Sequence, residues 1–286
     1  GVLQPIVNAW YVHGLYALWF VPVALAAAYY FLPKILGKPV SNYYLASLGF
    51  WWLAVTSAFA GGSRLIGAPV PVWIPTLGIV ANMLVVVGVD VVALNLFGTL
   101  SGRYAAARAS LTLRFILVSL VGFALAAVMN LALSMRSFAA IVQFTLLDGL
   151  RDWLTFYACF STAMFGAVYF MLPRLTGREW RFTGLIKLHF GTTVLGVVLM
   201  TVGLAAAGWT QGQLLNDAAV PFADITKALS FWFAFRTVAL AVLLLGHLAF
   251  LINFVGMACP FNSQGNAPAK FSVPPEMGML KGEGHA

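Results

Sequence analysis

The sequence predicts an all-α integral membrane protein, a bundle of seven transmembrane helices, and three observations lead there. Of its 286 residues 62% are hydrophobic and only 8% charged, and the mean hydropathy is +0.92. A water-soluble domain does not carry that balance. Apolar runs of the length needed to cross a hydrocarbon core of about 30 Å recur along the chain. They show no strand alternation, and a backbone in lipid must satisfy its own hydrogen bonds, so each run is a helix.

The seven predicted spans are 10–32, 43–60, 73–100, 111–135, 153–172, 182–207 and 231–255. Turn-forming stretches separate them at 33–42, 61–71, 101–110 and 173–181, where prolines, glycines and asparagines end helices. Trp10, Trp51, Trp73, Trp153, Trp180, Trp209 and Trp232 fall near predicted ends, where an indole prefers the headgroup region. The glycine series Gly184, Gly191, Gly196 and the small residues of 24–28 predict close helix packing. Residues 1–255 therefore read as one transmembrane domain. Residues 256–286, rich in Gly, Pro, Asn and Ser, read as an extended cytoplasmic tail.

A formal charge of +8, from sixteen Lys and Arg against eight Asp and Glu, is spread singly over short loops. That is a topology and lipid-contact signal and not a nucleic-acid surface. Lys34, Lys38, Arg103, Arg108, Arg174, Arg178, Arg181, Lys270 and Lys281 fall on one side, against Arg64, Arg136, Arg151 and Lys227 on the other. The richer side is expected to be cytoplasmic, with the amino terminus outside and the carboxyl terminus inside a bacterial-type inner membrane. Residues 1–8 carry no Lys or Arg and do not read as a removable leader. A first span entering from outside unaided predicts either a companion chain that supplies preceding helices or an amino-terminal portion once joined to this one. Cys159 and Cys259 form no disulfide framework.

Ionisable groups within spans carry the functional hypotheses. Arg114, Lys187 and Arg236 lie near predicted ends and are expected to snorkel. Arg151 and Asp152 are placed at a helix start, the acid facing the amino-terminal dipole and pairing with its neighbour or with lipid headgroups. Asp90 is mid-span with no basic neighbour in sequence; if buried, it is expected to hydrogen-bond Asn82 or Asn130 on facing helices. Together with Asn95 and His13 these residues outline a polar pathway. His13, His189 and His247 sit on three helices, and nothing in their spacing puts two imidazoles on one face. No CxxCH, HxH or HExxH motif occurs.

Several segments together resemble the catalytic subunit of cbb-type (C-family) haem-copper cytochrome c oxidases. They are Trp10-Tyr11-Val12-His13, Tyr29-Tyr30-Phe31-Leu32-Pro33-Lys34, Lys38-Pro39-Val40, Leu113-Arg114-Phe115 with Val118-Ser119-Leu120, and Tyr169 through Pro173-Arg174-Leu175. The likeness runs from about Trp10 to Gln211, weakly on to Arg236, and implies helices six to twelve of that twelve-helix subunit. It places His13 at a copper-ligand position. At the adjacent copper histidines it finds Ser63 and Arg64, and at the redox tyrosine Ser57. Arg151 and Trp153 stand where a His-x-His would ligate two haems, and Met129 stands at an expected glutamate.

Copper needs about three nitrogen donors and haem iron an axial one. The resemblance therefore implies a fold kept and a haem-copper centre lost, with no catalytic residue, cofactor or metal expected in this chain and only lipid as a companion molecule. Trp153, Phe156 and Phe160 are expected to fill the vacated volume. The implied function is a non-catalytic, degenerate subunit that scaffolds or anchors a respiratory electron-transfer complex. Its expected partners are other membrane subunits, a membrane-anchored cytochrome c or a peripheral redox enzyme. Two alternatives stand beside it: a proton or small-molecule conduit through Asp90, Asn82, Asn95 and Asn130, and a structural subunit of an active oxidoreductase whose cofactors lie in other chains.

Overall fold

A computed structural model describes residues 1–258; Cys259 and nearly all of the predicted tail lie outside the described residues. Seven helices are long and apolar enough to cross a membrane: Leu3–Leu36, Tyr43–Leu65, Trp73–Leu100, Leu111–Ser134, Leu146–Thr176, Thr183–Leu215 and Ser230–Ala258. Most run past the predicted bounds, because hydropathy reports only the most apolar part of a helix whose ends are polar or amphipathic. The fifth shows this best. Its first turns, Leu146–Trp153, carry Asp148, Arg151 and Asp152 on an otherwise apolar frame and are capped by the Thr145 hydroxyl. Three short helices, Tyr104–Ala109, Arg136–Val142 and Phe222–Ala228, lie in the connections.

The second and third spans form one closely packed antiparallel pair and the sixth and seventh another, with the fourth and fifth between them and the first against the second, fourth and fifth. One apolar cluster joins the first five spans around Leu32, Val92, Leu113, Ile116 and Ala163. A second joins the fourth to seventh around Leu150, Leu154, Met200 and Ala239. The alanine run behaves as predicted, Ala24, Ala27 and Ala28 being buried. Of the glycine series only Gly196 packs against a neighbour, Leu243; a Cβ on Gly184 or Gly191 would meet nothing within 4 Å. Close contact occurs instead at Gly122, whose added Cβ would lie 2.5–2.8 Å from the backbone of Ala158 and Cys159. It occurs again at Gly78, against the backbone of Gly62 and Ser63.

The first and fifth spans share two features. Each ends on Leu-Pro-Lys/Arg followed by a glycine, Gly37 at φ 62° and Gly177 at φ 65°, the left-handed cap that side chains disfavour. Each also contains a π-helical stretch, Leu15–Phe20 and Leu154–Ser161. Extra residues per turn free carbonyls that hydroxyls then take up, as Ser161 Oγ does at Phe156 O, 2.9 Å. Phe20 of the first stretch packs on Phe156 and Phe160 of the second, with ring centroids 5.0 and 4.8 Å away.

Trp180 departs from the interfacial role predicted for it. It is buried, donates to the Tyr169 carbonyl at 3.1 Å and sits edge-on to the Tyr169 ring. Trp73 and Trp51, by contrast, are exposed on the outside of the bundle.

Candidate functional site

Odd-numbered spans begin where even-numbered spans end, so His13, Ser57, Arg64, Asn82, Asn130 and Arg151 gather toward one end of the bundle. The second span turns into a 3-10 segment, Gly61–Leu65, that carries Ser63 and Arg64 inward. Asn82 holds that segment. Its amide donates to Ser63 Oγ at 2.8 Å, to Ala60 O at 3.2 Å and to Gly78 O at 3.0 Å. Gly78 lets the third span approach the segment backbone to backbone. Gln143 adds a bond to the Arg64 carbonyl at 3.0 Å.

Arg64 then meets Asp152 of the fifth span in a two-pronged pair, Nη2 to Oδ1 at 2.5 Å and Nη1 to Oδ2 at 3.3 Å. Arg151 turns back to Asp148 at 3.0 Å and approaches Asp152 at 3.7 Å. Asp148 also accepts from the amide of Phe144, whose φ of 64° lets the chain turn into the fifth span. Two guanidiniums and two carboxylates thus form one neutral cluster, with the Arg151 side chain only 5% exposed. The expectation of a helix-start acid is corrected here: Asp148 takes that place, while Asp152 lies two turns in and pairs across spans. The i, i+3 spacing of Asp148 and Arg151 is a signal that the sequence reading left unused. Spacing offers no signal for Arg64 and Asp152, 88 residues apart.

His13 faces the same region and is 6% exposed; among the described residues its Nε2 has no hydrogen-bond partner. Beside it lies a cavity of about 190 Å³, lined at this end by His13, Ser57, Arg64, Asn130 and Thr155 and further along by Leu25, Leu53, Val92 and Phe123. The predicted filling is therefore incomplete. Phe156 is 42% exposed on the flank, and Trp153 stacks on Tyr157 at 4.5 Å, away from this space.

Of the polar-pathway residues, His13, Asn82 and Asn130 line one cavity, whereas Asn95 and Asp90 lie apart from it. Asn82 braces the Gly61–Leu65 segment. Asn95 accepts from the amide of Asn42 at 2.9 Å and donates to Tyr29 at 3.3 Å, fixing the turn between the first two spans. Asn130 lines the cavity and donates to its own helix at Ala126 O. Asp90 is exposed on the outer face of the third span, in a stripe with Met83, Val87, Leu94 and Phe97, and has no hydrogen bond or ion pair among the described residues. Contact with Asn82 or Asn130 is thus excluded, because an outward helix position cannot reach inward partners.

The structure also brings together two histidines that spacing left apart. His189 and His247 lie with ring centroids 5.8 Å apart. His247 Nδ1 lies 2.6 Å from the Leu243 carbonyl, so Nδ1 carries the proton and Nε2 accepts from the Tyr157 hydroxyl at 3.2 Å. His189 Nδ1 lies 2.8 Å from the Tyr169 hydroxyl. Among the described residues, no group of three or more His, Cys, Asp or Glu side chains is placed to hold a metal ion.

A seven-span bundle with an imidazole and a turned-in loop meeting the fifth span at one end has the architecture of a haem-copper oxidase core subunit. A solved heme-copper terminal oxidase dimer matches it with a TM-score of 0.73 at 15% identity, over 95% of this chain and 54% of that one. Residues 1–242 match the family Cytochrome C and Quinol oxidase polypeptide I, and the chain belongs to that family. Among its relatives are the Cbb3-type cytochrome c oxidase subunit CcoN1 of Stutzerimonas stutzeri, 26% identical over 88% of this chain and 55% of that protein. Cytochrome c oxidase subunit 1 of Rhodobacter capsulatus is 27% identical over 88% of this chain and 49% of that one. The chain thus spans about half the length of the curated relatives it matches. It is a multi-pass membrane protein of the subunit I type, the resemblance read from its motifs.

Proposed function

We propose that this chain is a non-catalytic member of the family that scaffolds or anchors a respiratory electron-transfer complex, its amino terminus outside a bacterial-type inner membrane. The single observation that carries the reading is the cluster of Arg64, Arg151, Asp148 and Asp152. Two of these residues occupy the positions where the resemblance expects metal-binding imidazoles. Guanidinium offers donors only and does not ligate copper or iron. One imidazole, His13, is left beside two cations and a serine, short of the roughly three nitrogen donors a copper ion needs. A paired charge cluster fills the role of tying the second span to the fifth.

Asp90 supports the scaffolding part. A carboxyl at mid-span on an apolar outer stripe is costly against lipid alone, by about 2.5–3.5 kcal/mol on insertion scales. The stripe matches a partner's transmembrane helix carrying a Lys or Arg at the same depth. Asp90→Leu is expected to release that partner from the purified complex, and Asp90→Asn to weaken its hold. Photo-crosslinking from Val87 or Leu94 checks this: a cross-linked apolar peptide with a basic residue within a turn supports it, and cross-links to lipid or to this chain alone refute it.

The non-catalytic part is tested by the visible spectrum and metal content of the complex purified through this chain. Any haem or copper present is expected to be unchanged by His13→Ala, His189→Ala and His247→Ala. Loss of a haem band or of copper in one variant that still assembles would place the cofactor on this polypeptide and end the proposal.

A further inference from the structure

A groove runs along the outside of the bundle between the third and fourth spans. Ala93, Leu96 and Phe97 line it on one side, and Leu117, Val121 and Ala124 on the other. Phe97, Val121 and Ala124 are exposed, so the groove opens outward. Every residue that lines it is apolar, and its volume is about 200 Å³. A cavity of roughly 150 Å³ already admits benzene, so a phenyl or isobutyl side chain fits here.

Asp90 stands at one end of this groove. Ala93 and Phe97 follow it by three and seven residues, the spacing of a single helix face. At 1.5 Å per residue the groove continues for about 15 Å past the carboxyl, as far as Leu100.

Groove and charge together choose the occupant. A lipid acyl chain would fill the groove and leave the carboxyl against hydrocarbon. The cationic headgroup of a phospholipid lies about 15 Å from the midplane, half the thickness of the hydrocarbon core, and does not reach a mid-span acid. A transmembrane helix serves both, because its residues three, four and seven apart stand on one face. A Lys or Arg on that face meets Asp90, and a bulky apolar side chain one or two turns away enters the groove, as ridges of one helix enter grooves of another.

We infer that this groove seats one apolar knob, a Leu, Met or Phe, of a partner's transmembrane helix. The knob lies three, four or seven residues from the basic residue that pairs with Asp90, on the side toward Leu100. The inference rests on the scaffolding proposal and adds to it the partner's seat and its sequence pattern. A neighbouring groove of about 340 Å³, lined by Val194 and Val198 of the sixth span, is bordered by no residue of the third span and lies outside the seat.

The complex is purified through this chain in mild detergent, and the partner retained is measured by quantitative mass spectrometry. Ala93→Phe and Ala124→Phe fill the groove from its two walls, and each is expected to cut retention about tenfold, the scale of an overpacked contact. Val198→Phe, in the neighbouring groove, leaves retention unchanged. A photo-crosslinker in place of Phe97 is expected to capture a peptide with the stated pattern, and that arm stands even where a filled variant does not assemble. Alanine at the captured knob is expected to restore retention in Ala124→Phe. Full retention in both filled variants, or cross-links from position 97 to lipid alone, overturns the inference. If Asp90→Leu still releases the partner in that case, the scaffolding proposal stands without the seat; if it does not, both fall.

Discussion

Replacing Arg151 with leucine is expected to lower the stability of the folded chain by about 3 kcal/mol, read as a lower unfolding temperature in detergent or nanodiscs. Removing one member of a buried ion pair costs about 3–5 kcal/mol, because its partner stays behind uncompensated. The Arg151 side chain is 5% exposed while Asp148 and Asp152 are 24% and 30% exposed, which puts the expectation at the low end of that range. After the substitution two carboxylates would share Arg64 alone. A second change should undo much of the damage: Arg151→Leu with Asp148→Asn removes one charge of each sign. An amide oxygen at position 148 can still accept from the Phe144 amide that Asp148 now serves. The coupling between the two sites is expected to reach 1–2 kcal/mol, within the range for directly bonded residues. If the double variant is no more stable than the single one, Arg151 acts through packing, and the charge cluster is not what ties the fifth span.

Hydropathy made the spans legible, since a helix surrounded by lipid must be apolar along its length whatever it packs against. The site was legible only residue by residue. Position 64 reads as a loop arginine, and nothing local says that Gly61–Leu65 folds inward or that Asp152 waits 88 residues on. Asp90 shows the same limit from the other side. Its place in the span followed from the sequence, but which way it faces depends on where Gly88 and Val92 meet the second span, and that is a property of the pair. His189 and His247 likewise come together only because the sixth and seventh spans pack in one register. The fold around the cavity was supplied by the motifs of the resemblance, and the chemistry within it by contacts that no spacing rule reaches.

Glycine substitutions separate these two kinds of knowledge most sharply. Gly122→Ala is expected to destabilise the chain by about 2–3 kcal/mol, whereas Gly191→Ala should be neutral or stabilise it by up to about 1 kcal/mol. Both glycines are helical, and both replacements gain the same intrinsic preference for alanine. At Gly191 a methyl meets nothing within 4 Å, so that gain stands alone. At Gly122 it would lie 2.5 Å from the Ala158 carbonyl carbon and 2.8 Å from the Cys159 nitrogen. Backbone atoms cannot rotate away as a side chain does, so the fourth and fifth spans must part, and overpacking of this kind costs 1–3 kcal/mol or more. The displaced segment is the π-helical Leu154–Ser161, which carries Tyr157 to His247. Unfolding midpoints of the two variants, measured in the same detergent, check the opposite signs. Equal shifts would mean that the fourth and fifth spans do not meet backbone to backbone at Gly122.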